Sequence, residues 1–380
     1  MVDTAVKFNL INNKSFHDKL ESMKPNEAVV DVSNSAFVKL ILDPTGKCYY
    51  PFFLREPFSF KDFDFCELID PEDLQKLQDR KVIPLVCMVS ESWTLFEYRP
   101  GRRFRRSLYY HVIKQLEKNN IKEEDVVWMS CNRYQIEDSR IKSTFIHFDF
   151  YLEQQKLIPT EFMPLTEIKH KYLSMAQGVH RHHRYAMTYQ LYKNDLFQHG
   201  AISCTDYENF HYNEMTETTD EYLSKLENFD QETFNSFKQS LPYNIDNQLN
   251  LHQGGNDESH LFENVFVNLV NETHQPDNTV FITEKTYRSI NYCRPFIING
   301  DPGSLQYLKE MGFETFDKFW DESYDTEKHD HEKIKKITQL IQYICGLDHA
   351  QLLTLYESML PTLKHNYKVL KNYEQWSKLN

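Results

Sequence analysis

Residues 281–288, Phe-Ile-Thr-Glu-Lys-Thr-Tyr-Arg, place an acid and two bases close together on a predicted helix. Thr283 comes directly before this helix and can cap its N-terminus. A carboxylate such as Glu284 accepts hydrogen bonds from ribose hydroxyl groups, while Lys285 or Arg288 offsets the charge of a phosphate. Arg288 lies one helical turn farther on, so both bases can face the same region. The pattern predicts a nucleotide-binding corner, although an exposed helix turn with stabilising charges would have the same sequence.

A strand, a turn and a second helix follow this corner. Residues 294–299 form a short apolar run that ends at Gly300, which predicts a buried strand and a tight turn. Residues 304–311 have helical spacing and stop at Gly312, a residue that readily adopts the left-handed conformation of a helix end. We therefore expect two helix N-termini near one sheet edge, where backbone N–H groups and the helix dipole favour an anion.

This region resembles a family of sugar-transferring enzymes. Glu263 and Asn264, then residues 282–285, then a strand ending in Gly300 are similar to the donor-binding signature of fucosyltransferase-like enzymes, and more loosely to that of exostosin-like enzymes. A longer pattern is closer still to predicted glycosyltransferases of large bacterial viruses. That pattern comprises residues 268–273, 283–285, 295–296, 312–316 and 321–325.

The resemblance covers residues 260–326 strongly and residues 170–205 weakly. It implies an α/β protein with the GT-B fold, in which two Rossmann-like domains face a central cleft and C-terminal helices cross back to the first domain. It also implies transfer of a hexosyl or pentosyl group from a nucleotide diphosphate sugar, such as a UDP- or GDP-sugar, without an essential metal or other cofactor.

The residues that we expect to bind the donor lie in the second half of the chain. Arg181 and Arg184 belong to a basic run, residues 180–184, that resembles the start of the first helix of the second domain in the viral proteins, with Arg184 preferred. A solvated helix start and a histidine metal site are the alternatives, but consecutive histidines lack the i,i+4 spacing that suits one ion. The full predicted set is Arg181, Arg184, Glu272, Thr283, Glu284, Lys285, Arg288 and Gly300.

Inverting sugar transfer needs a base that removes the proton of the acceptor hydroxyl. Glu91 directly follows a predicted buried strand, residues 81–90, and a similar glutamate occurs there in the viral proteins. Asp149, at the end of another predicted strand, residues 143–149, is the second candidate. Either carboxylate could instead cap a helix or a loop.

Alternating strands and helices predict open α/β sheets in two domains. A segment with two prolines, residues 156–169, is the predicted linker. We therefore expect an acceptor-side domain at residues 1–165, a nucleotide-sugar-binding domain at residues 166–345 and a helical tail at residues 346–380.

Composition narrows the class of partner. The formal net charge of −13 opposes nonspecific attraction to DNA or to an anionic membrane. Residues 99–106 nevertheless carry five arginines, which could bind a phosphate or DNA or could simply be solvated. No apolar run is long enough for a membrane span, and seven scattered cysteines fit reduced thiols, so we expect a cytoplasmic protein. Asp62 and Asp64 resemble a metal-binding Asp-x-Asp pair, but such a pair is expected by chance in so acidic a chain.

The sequence thus predicts an inverting, metal-independent glycosyltransferase that uses a nucleotide sugar and a glycan or other hydroxyl acceptor. Two alternatives remain open at this point. One is a glycosyltransferase that modifies hydroxymethylated bases of viral DNA, with residues 99–106 on the phosphates. The other is a glycan-binding or virion-associated protein without catalytic activity.

Overall fold

The computed structural model describes residues 49–53, 65–88, 108–131, 142–158, 160–176, 181–207, 218–243, 259–273 and 280–373. The chain divides into two compact units. The first comprises Met1–Phe150 together with Lys378–Asn380, and the second comprises Tyr151–Ser377. Each unit contains one parallel sheet with four described strands. The protein is therefore a mixed α/β protein with two Rossmann-like sheets.

The strands of the first unit are ordered as they occur in the chain. They are β1 (Tyr49–Phe53), β2 (Ile83–Met88), β3 (Val127–Ser130) and β4 (Thr144–His147), and each pairs in parallel with the next. Two helices, α1 (Pro71–Gln78) and α2 (Leu108–Lys118), connect the first three strands, with 3-10 turns at Phe65–Leu68 and Glu123–Asp125.

The predicted strands over residues 81–90 and 143–149 are confirmed as β2 and β4. Strand β1 was not predicted, and its sequence contains Pro51, which lacks the N–H that a central strand would use. Among the described strands β1 lies at the sheet edge, where a proline is tolerated. The core of this unit includes Tyr50, Phe52 and Trp128.

The sheet of the second unit has the order β6-β5-β7-β8. Its members are β5 (His170–Ala176), β6 (Gly200–Cys204), β7 (Val265–Asn271) and β8 (Phe296–Asn299), all parallel. Successive side chains of β5, such as Tyr172 and Leu173, enter different hydrophobic clusters because strand side chains alternate between faces. Both faces of this sheet are therefore covered, as a parallel sheet requires.

Nine helices belong to the second unit among the described residues, with α3 starting at the unit boundary. Helix α4 follows β5, α8 follows β7 and α9 follows β8, while α10 and α11 close the described chain. Their bounds are α3 (Phe150–Leu157), α4 (His182–Lys193), α5 (Thr219–Ser224), α6 (Gln231–Ser240), α7 (Ser259–Phe262), α8 (Glu284–Asn291), α9 (Ser304–Glu310), α10 (Asp330–Gly346) and α11 (His349–Lys371), with 3-10 turns at Phe197–His199 and Ser323–Thr326.

The boundary between the units differs from the predicted one at residue 165. The proline-containing segment packs onto the second unit: the Thr160 hydroxyl donates to the Asn291 side chain at 2.7 Å, and the Leu165 N–H donates to the Tyr356 hydroxyl at 3.0 Å. Near the end of α11, Lys371 donates to the carbonyl of Ile158 at 2.7 Å. These contacts place both the expected linker and the described part of the expected tail inside one compact unit.

In the parts of the chain that the structure describes, no helix is long and apolar enough to cross a membrane. The cysteines in these parts are buried and form no disulfide.

Arg294 fastens the amino-terminal side of the second sheet. Its side chain is 1% exposed. The guanidinium donates at 2.7 to 3.1 Å to the backbone carbonyl groups of Met163, Phe262, Glu263, Tyr292 and Cys293. A guanidinium has five N–H donors in a fixed plane, so it can join several chain segments that no neutral side chain could join.

We predict that Arg294→Ala strongly destabilises the second unit. Three buried and two partly buried carbonyl groups would lose a donor. Each unsatisfied buried polar group costs about 1–3 kcal/mol, so a loss of at least about 3 kcal/mol in the free energy of unfolding is expected. Urea unfolding measures this loss. Lys169→Ala is the control, because Lys169 is exposed and pairs with exposed Glu167. An Arg294 variant as stable as this control would contradict the assignment.

Candidate functional site

The order of strands in the second unit creates a site at their carboxyl ends. From β5 the chain passes to β6 on one side, whereas β7 lies on the other side of β5 and leads to β8. Such a change of direction leaves a crevice beyond the carboxyl ends of the two central strands, where open α/β sheets bind ligands. The ends are level, because Ala176 pairs with Cys204 and Asn271 pairs with Asn299.

Glu272 is the first residue beyond β7, and its carboxylate is completely buried. One oxygen accepts from the Thr283 N–H at 2.9 Å and from the Thr286 hydroxyl at 2.7 Å. The other accepts from the Thr283 hydroxyl at 2.6 Å and from the Thr273 N–H at 3.2 Å. The carboxylate thus occupies the N-terminus of α8, where the helix dipole also favours a negative charge.

The backbone carbonyl of Glu272 joins a second helix to the same point. It accepts a hydrogen bond from His183 Nε2 at 3.0 Å and another from Arg184 Nη2 at 3.3 Å. His183 must carry its proton on Nε2 to donate to a carbonyl. Both residues lie in the first turn of α4 and are at most 8% exposed. Glu272 therefore fixes the starts of α4 and α8 relative to each other.

Two buried amide side chains, those of Asn271 and Asn299, also hold the strand ends in place. Asn299 donates to the side chain of Asn271 at 3.0 Å and to the carbonyl of His183 at 3.4 Å. Asn271 in turn donates to the Ser174 hydroxyl at 3.1 Å. The ends of β5, β7 and β8 are consequently tied together by side chains as well as by the sheet.

The partly exposed residues of α8 carry its charges. Glu284, Lys285 and Arg288 are the helix residues with intermediate exposure, and the other five are buried. Lys285 Nζ lies 3.0 Å from the Glu284 carboxylate and 2.9 Å from the Thr283 hydroxyl. Burial acts to raise the pKa of Glu284, but attraction to Lys285 and Arg288 outweighs it and lowers the pKa to about 2. Glu284 is therefore ionised at neutral pH, and this face carries a net positive charge.

Three of the predicted donor-binding residues have a different role from the expected one. Glu272 and Thr283 are 0% and 1% exposed and bond to each other, so neither presents a free group to a ligand. Gly300 is buried against Glu272: a Cβ at this position would lie 2.8 Å from the Glu272 Cβ. All three build the corner rather than bind the donor directly.

The expected anion site at the start of α9 is also corrected. The Asp325 carboxylate accepts from the Leu305 N–H at 3.1 Å, and the Asp325 carbonyl accepts from the Gly303 N–H at 2.9 Å. Gly303 precedes the helix in the left-handed conformation, with a φ of 84°. A carboxylate of the protein itself thus occupies this helix start. In the sequence, residues 321–325 stand out only as part of the family resemblance, because a cap supplied by a residue 20 positions later has no local signature.

Glu263 and Asn264 lie at the opposite end of the sheet. They directly precede β7, and the Asn264 carbonyl accepts from the N–H groups of Lys169 and His170 at the start of β5. With about 3.3 Å per residue, the seven residues of β7 separate them from Glu272 by about 20 Å. Glu263 and Asn264, which are part of the family resemblance, therefore lie in the packing around Arg294 and not in the site.

The remaining predicted residues fall in several places. Arg181 is the N-cap residue of α4 and is partly exposed. Asp149 follows β4, is 5% exposed and directly precedes α3, whose Tyr151 ring lies 5.9 Å from Phe281. Glu91, the arginine-rich residues 99–106 and the pair Asp62 and Asp64 lie outside the described residues. Within the described ranges, no three His, Cys, Asp or Glu side chains are grouped as a metal site would need.

We predict that Gly300→Ala destabilises the site corner. The new methyl group would meet the Glu272 Cβ at 2.8 Å and the Ile298 Cγ2 at 3.2 Å, and neither buried atom can move freely. Overpacking of this kind costs about 1–3 kcal/mol, which urea unfolding can measure.

Gly346→Ala is the matched control for this substitution. Gly346 ends α10, and a Cβ there would have no neighbour within 4 Å. This variant should be at least as stable as the wild type, because alanine reduces the entropy of the unfolded chain. Equal stability of the two variants would show that Gly300 is not a tight packing position.

Comparisons with known proteins assign no function to the chain, so the function has to be argued from the geometry of the site. No family model matches the chain, and no curated protein or solved structure matches it either.

Proposed function

We propose that the chain is an inverting, metal-independent glycosyltransferase with the GT-B fold, which transfers a sugar from a nucleotide diphosphate sugar to a glycan or other hydroxyl acceptor. The observation that carries this proposal is the cationic face of α8, with Lys285 and Arg288, held next to Arg184 of α4 through the shared partner Glu272. These cations lie at the sheet edge where open α/β sheets bind nucleotides.

A diphosphate leaving group explains why cations are needed here. As the bond between the sugar and the phosphate breaks, negative charge grows on the departing oxygen, and fixed positive groups stabilise it. Lys285 provides a compact charge, and an arginine can bind two phosphate oxygens at once. The ion pair with Glu284 and the contact with Thr283 hold Lys285 in place before a ligand arrives. Preorganised cations can therefore perform the task that a metal ion performs in other transferases.

The proposed base is a carboxylate of the first unit. Glu91 follows the end of β2 by three residues, and Asp149 follows the end of β4 by two. A carboxylate within hydrogen-bond reach of the acceptor hydroxyl can take its proton as the anomeric carbon becomes positive. We keep Glu91 as the first candidate and Asp149 as the second.

A panel of nucleotide sugars tests the function. We expect at least one of the common UDP-, GDP- or ADP-sugars to raise the melting temperature, since a ligand at 100 times its Kd adds about 2.7 kcal/mol of stability. When the same donor carries a labelled sugar, the donor should be hydrolysed or the sugar should be transferred to an acceptor. If no donor binds, the proposal fails; if a donor binds but is neither hydrolysed nor transferred, the protein is a binding protein rather than an enzyme.

We predict that Lys285→Ala weakens binding of the identified donor by about 10- to 100-fold, the effect of losing one hydrogen bond to a charged group. Isothermal titration calorimetry with the nucleoside diphosphate measures the change in Kd. Lys309→Ala is the control, because Lys309 is an exposed lysine of α9 that pairs with Asp317. An unchanged Kd in the Lys285 variant would remove α8 from the donor site.

A further inference from the structure

The loop after β6 lies at the same sheet edge as the corner around Glu272. Strand β6 is the neighbour of β5 on the side away from β7, and its last residue, Cys204, pairs with the last residue of β5, Ala176. The three residues that follow, Thr205, Asp206 and Tyr207, therefore extend beyond the carboxyl end of the sheet, beside the crevice.

This loop is anchored to the first turn of α4. The Tyr185 hydroxyl donates to the backbone carbonyl of Asp206 and lies 3.3 Å from the Thr205 hydroxyl. The rings of Tyr185 and Tyr207 pack edge to face, with 5.1 Å between their centroids. Tyr185 directly follows Arg184 in the chain, so the turn that carries a diphosphate ligand also sets the position of this loop.

A second contact holds the far side of the loop. The Tyr207 hydroxyl donates to the Asp220 carboxylate, and Lys238 Nζ lies 3.9 Å from the same carboxylate. Lys238 also lies over the Phe234 ring, 4.4 Å from its centroid. The backbone around Asp206 is thus fixed from both sides before any ligand binds.

Asp206 itself is exposed. Among the described residues, the contact recorded for Asp206 is the one from Tyr185 to its backbone carbonyl, not to its carboxylate. Other described acids near these strand ends are engaged or enclosed: Glu272 and Asp301 are at most 1% exposed, and Glu284 pairs with Lys285. Among these four described acids, Asp206 is the one that is exposed to a ligand from solution.

Two carboxylate oxygens match the two neighbouring hydroxyl groups of a ribose, because each can accept one hydrogen bond. When a diphosphate lies over the crevice between the central strands, the nucleoside extends over the adjacent strand, and an acid at the end of that strand meets the ribose. In this chain β6 is that strand and Asp206 is that acid.

Building on the proposed function, we propose that Asp206 binds the vicinal hydroxyl groups of the donor's ribose and makes the site selective for ribonucleotides over 2′-deoxyribonucleotides. Glu284 is then not the ribose ligand expected from the sequence, and its carboxylate instead orients Lys285 and Arg288 for the diphosphate.

Calorimetry with paired nucleotides tests this assignment. The probes are UDP and 2′-deoxy-UDP, or GDP and 2′-deoxy-GDP if the guanine nucleotide is the one that binds. We expect the wild type to bind the ribonucleotide at least about tenfold more tightly, because the deoxy analogue leaves a charged acceptor without its partner. In Asp206→Ala the ratio of the deoxynucleotide Kd to the ribonucleotide Kd should fall close to one, while the Kd of the deoxynucleotide changes little.

Three further variants separate the possible causes. Lys285→Ala and Glu284→Gln should weaken the binding of both nucleotides by the same factor and leave the ratio of their Kd values unchanged. Tyr185→Phe, which removes the anchor of the loop, should lower the ratio without affecting the deoxynucleotide. Because Asp206 is exposed, its alanine variant is expected to melt at the wild-type temperature, which shows that any loss of selectivity is not unfolding.

Each contrary result has a distinct meaning. A wild-type ratio of one, or a ratio that Asp206→Ala leaves unchanged, overturns the role of Asp206 while donor binding stands. If the ratio falls close to one in Glu284→Gln but not in Asp206→Ala, the ribose is bound by α8 instead. If the wild type binds no nucleoside diphosphate at all, both the proposed function and the role of Asp206 fail.

Discussion

The buried carboxylate of Glu272 is the interaction on which the rest of the second unit's carboxyl edge depends. A charge removed from water is tolerated only when its oxygens are saturated with donors, and here two N–H groups and two hydroxyl groups supply them. Because these donors come from the end of β7 and the start of α8, the carboxylate fixes these two elements relative to each other. The Glu272 carbonyl extends the constraint to α4.

In this arrangement buried acids hold the site together, whereas the accessible cations of α8 are able to bind a ligand. Glu272 and Asp325 each occupy a helix start, so neither helix dipole is left facing an open crevice. The charges that remain accessible on α8 belong to side chains, and Glu284 holds Lys285 without neutralising the whole face. A phosphate approaching this edge would therefore meet cations on a rigid base, with Lys285 already held in place by Glu284 and Thr283.

Most secondary structure in the described residues could be predicted from local patterns. Thr283 was expected to cap a helix, and it is the N-cap residue of α8. The apolar run before Gly300 formed β8, and Gly312 follows α9 with a φ of 95°. The unit boundary was misplaced because two prolines suggest a linker, whereas contacts from α8 and α11, more than 100 residues later in the chain, incorporate that segment into the second unit.

The sequence by itself determined the charged residues at the starts of α4 and α8 and the elements that carry them, since caps, turns and periodicity act over a few residues. Only the tertiary structure decided which of these residues face a ligand. Glu272 and Glu284 are the same residue type near the same helix start, yet one is enclosed by threonines and the other is partly exposed beside two cations. Burial depends on partners distant in sequence, such as Gly300 behind Glu272 and Tyr185 beneath the loop of Asp206, and no local pattern encodes those contacts.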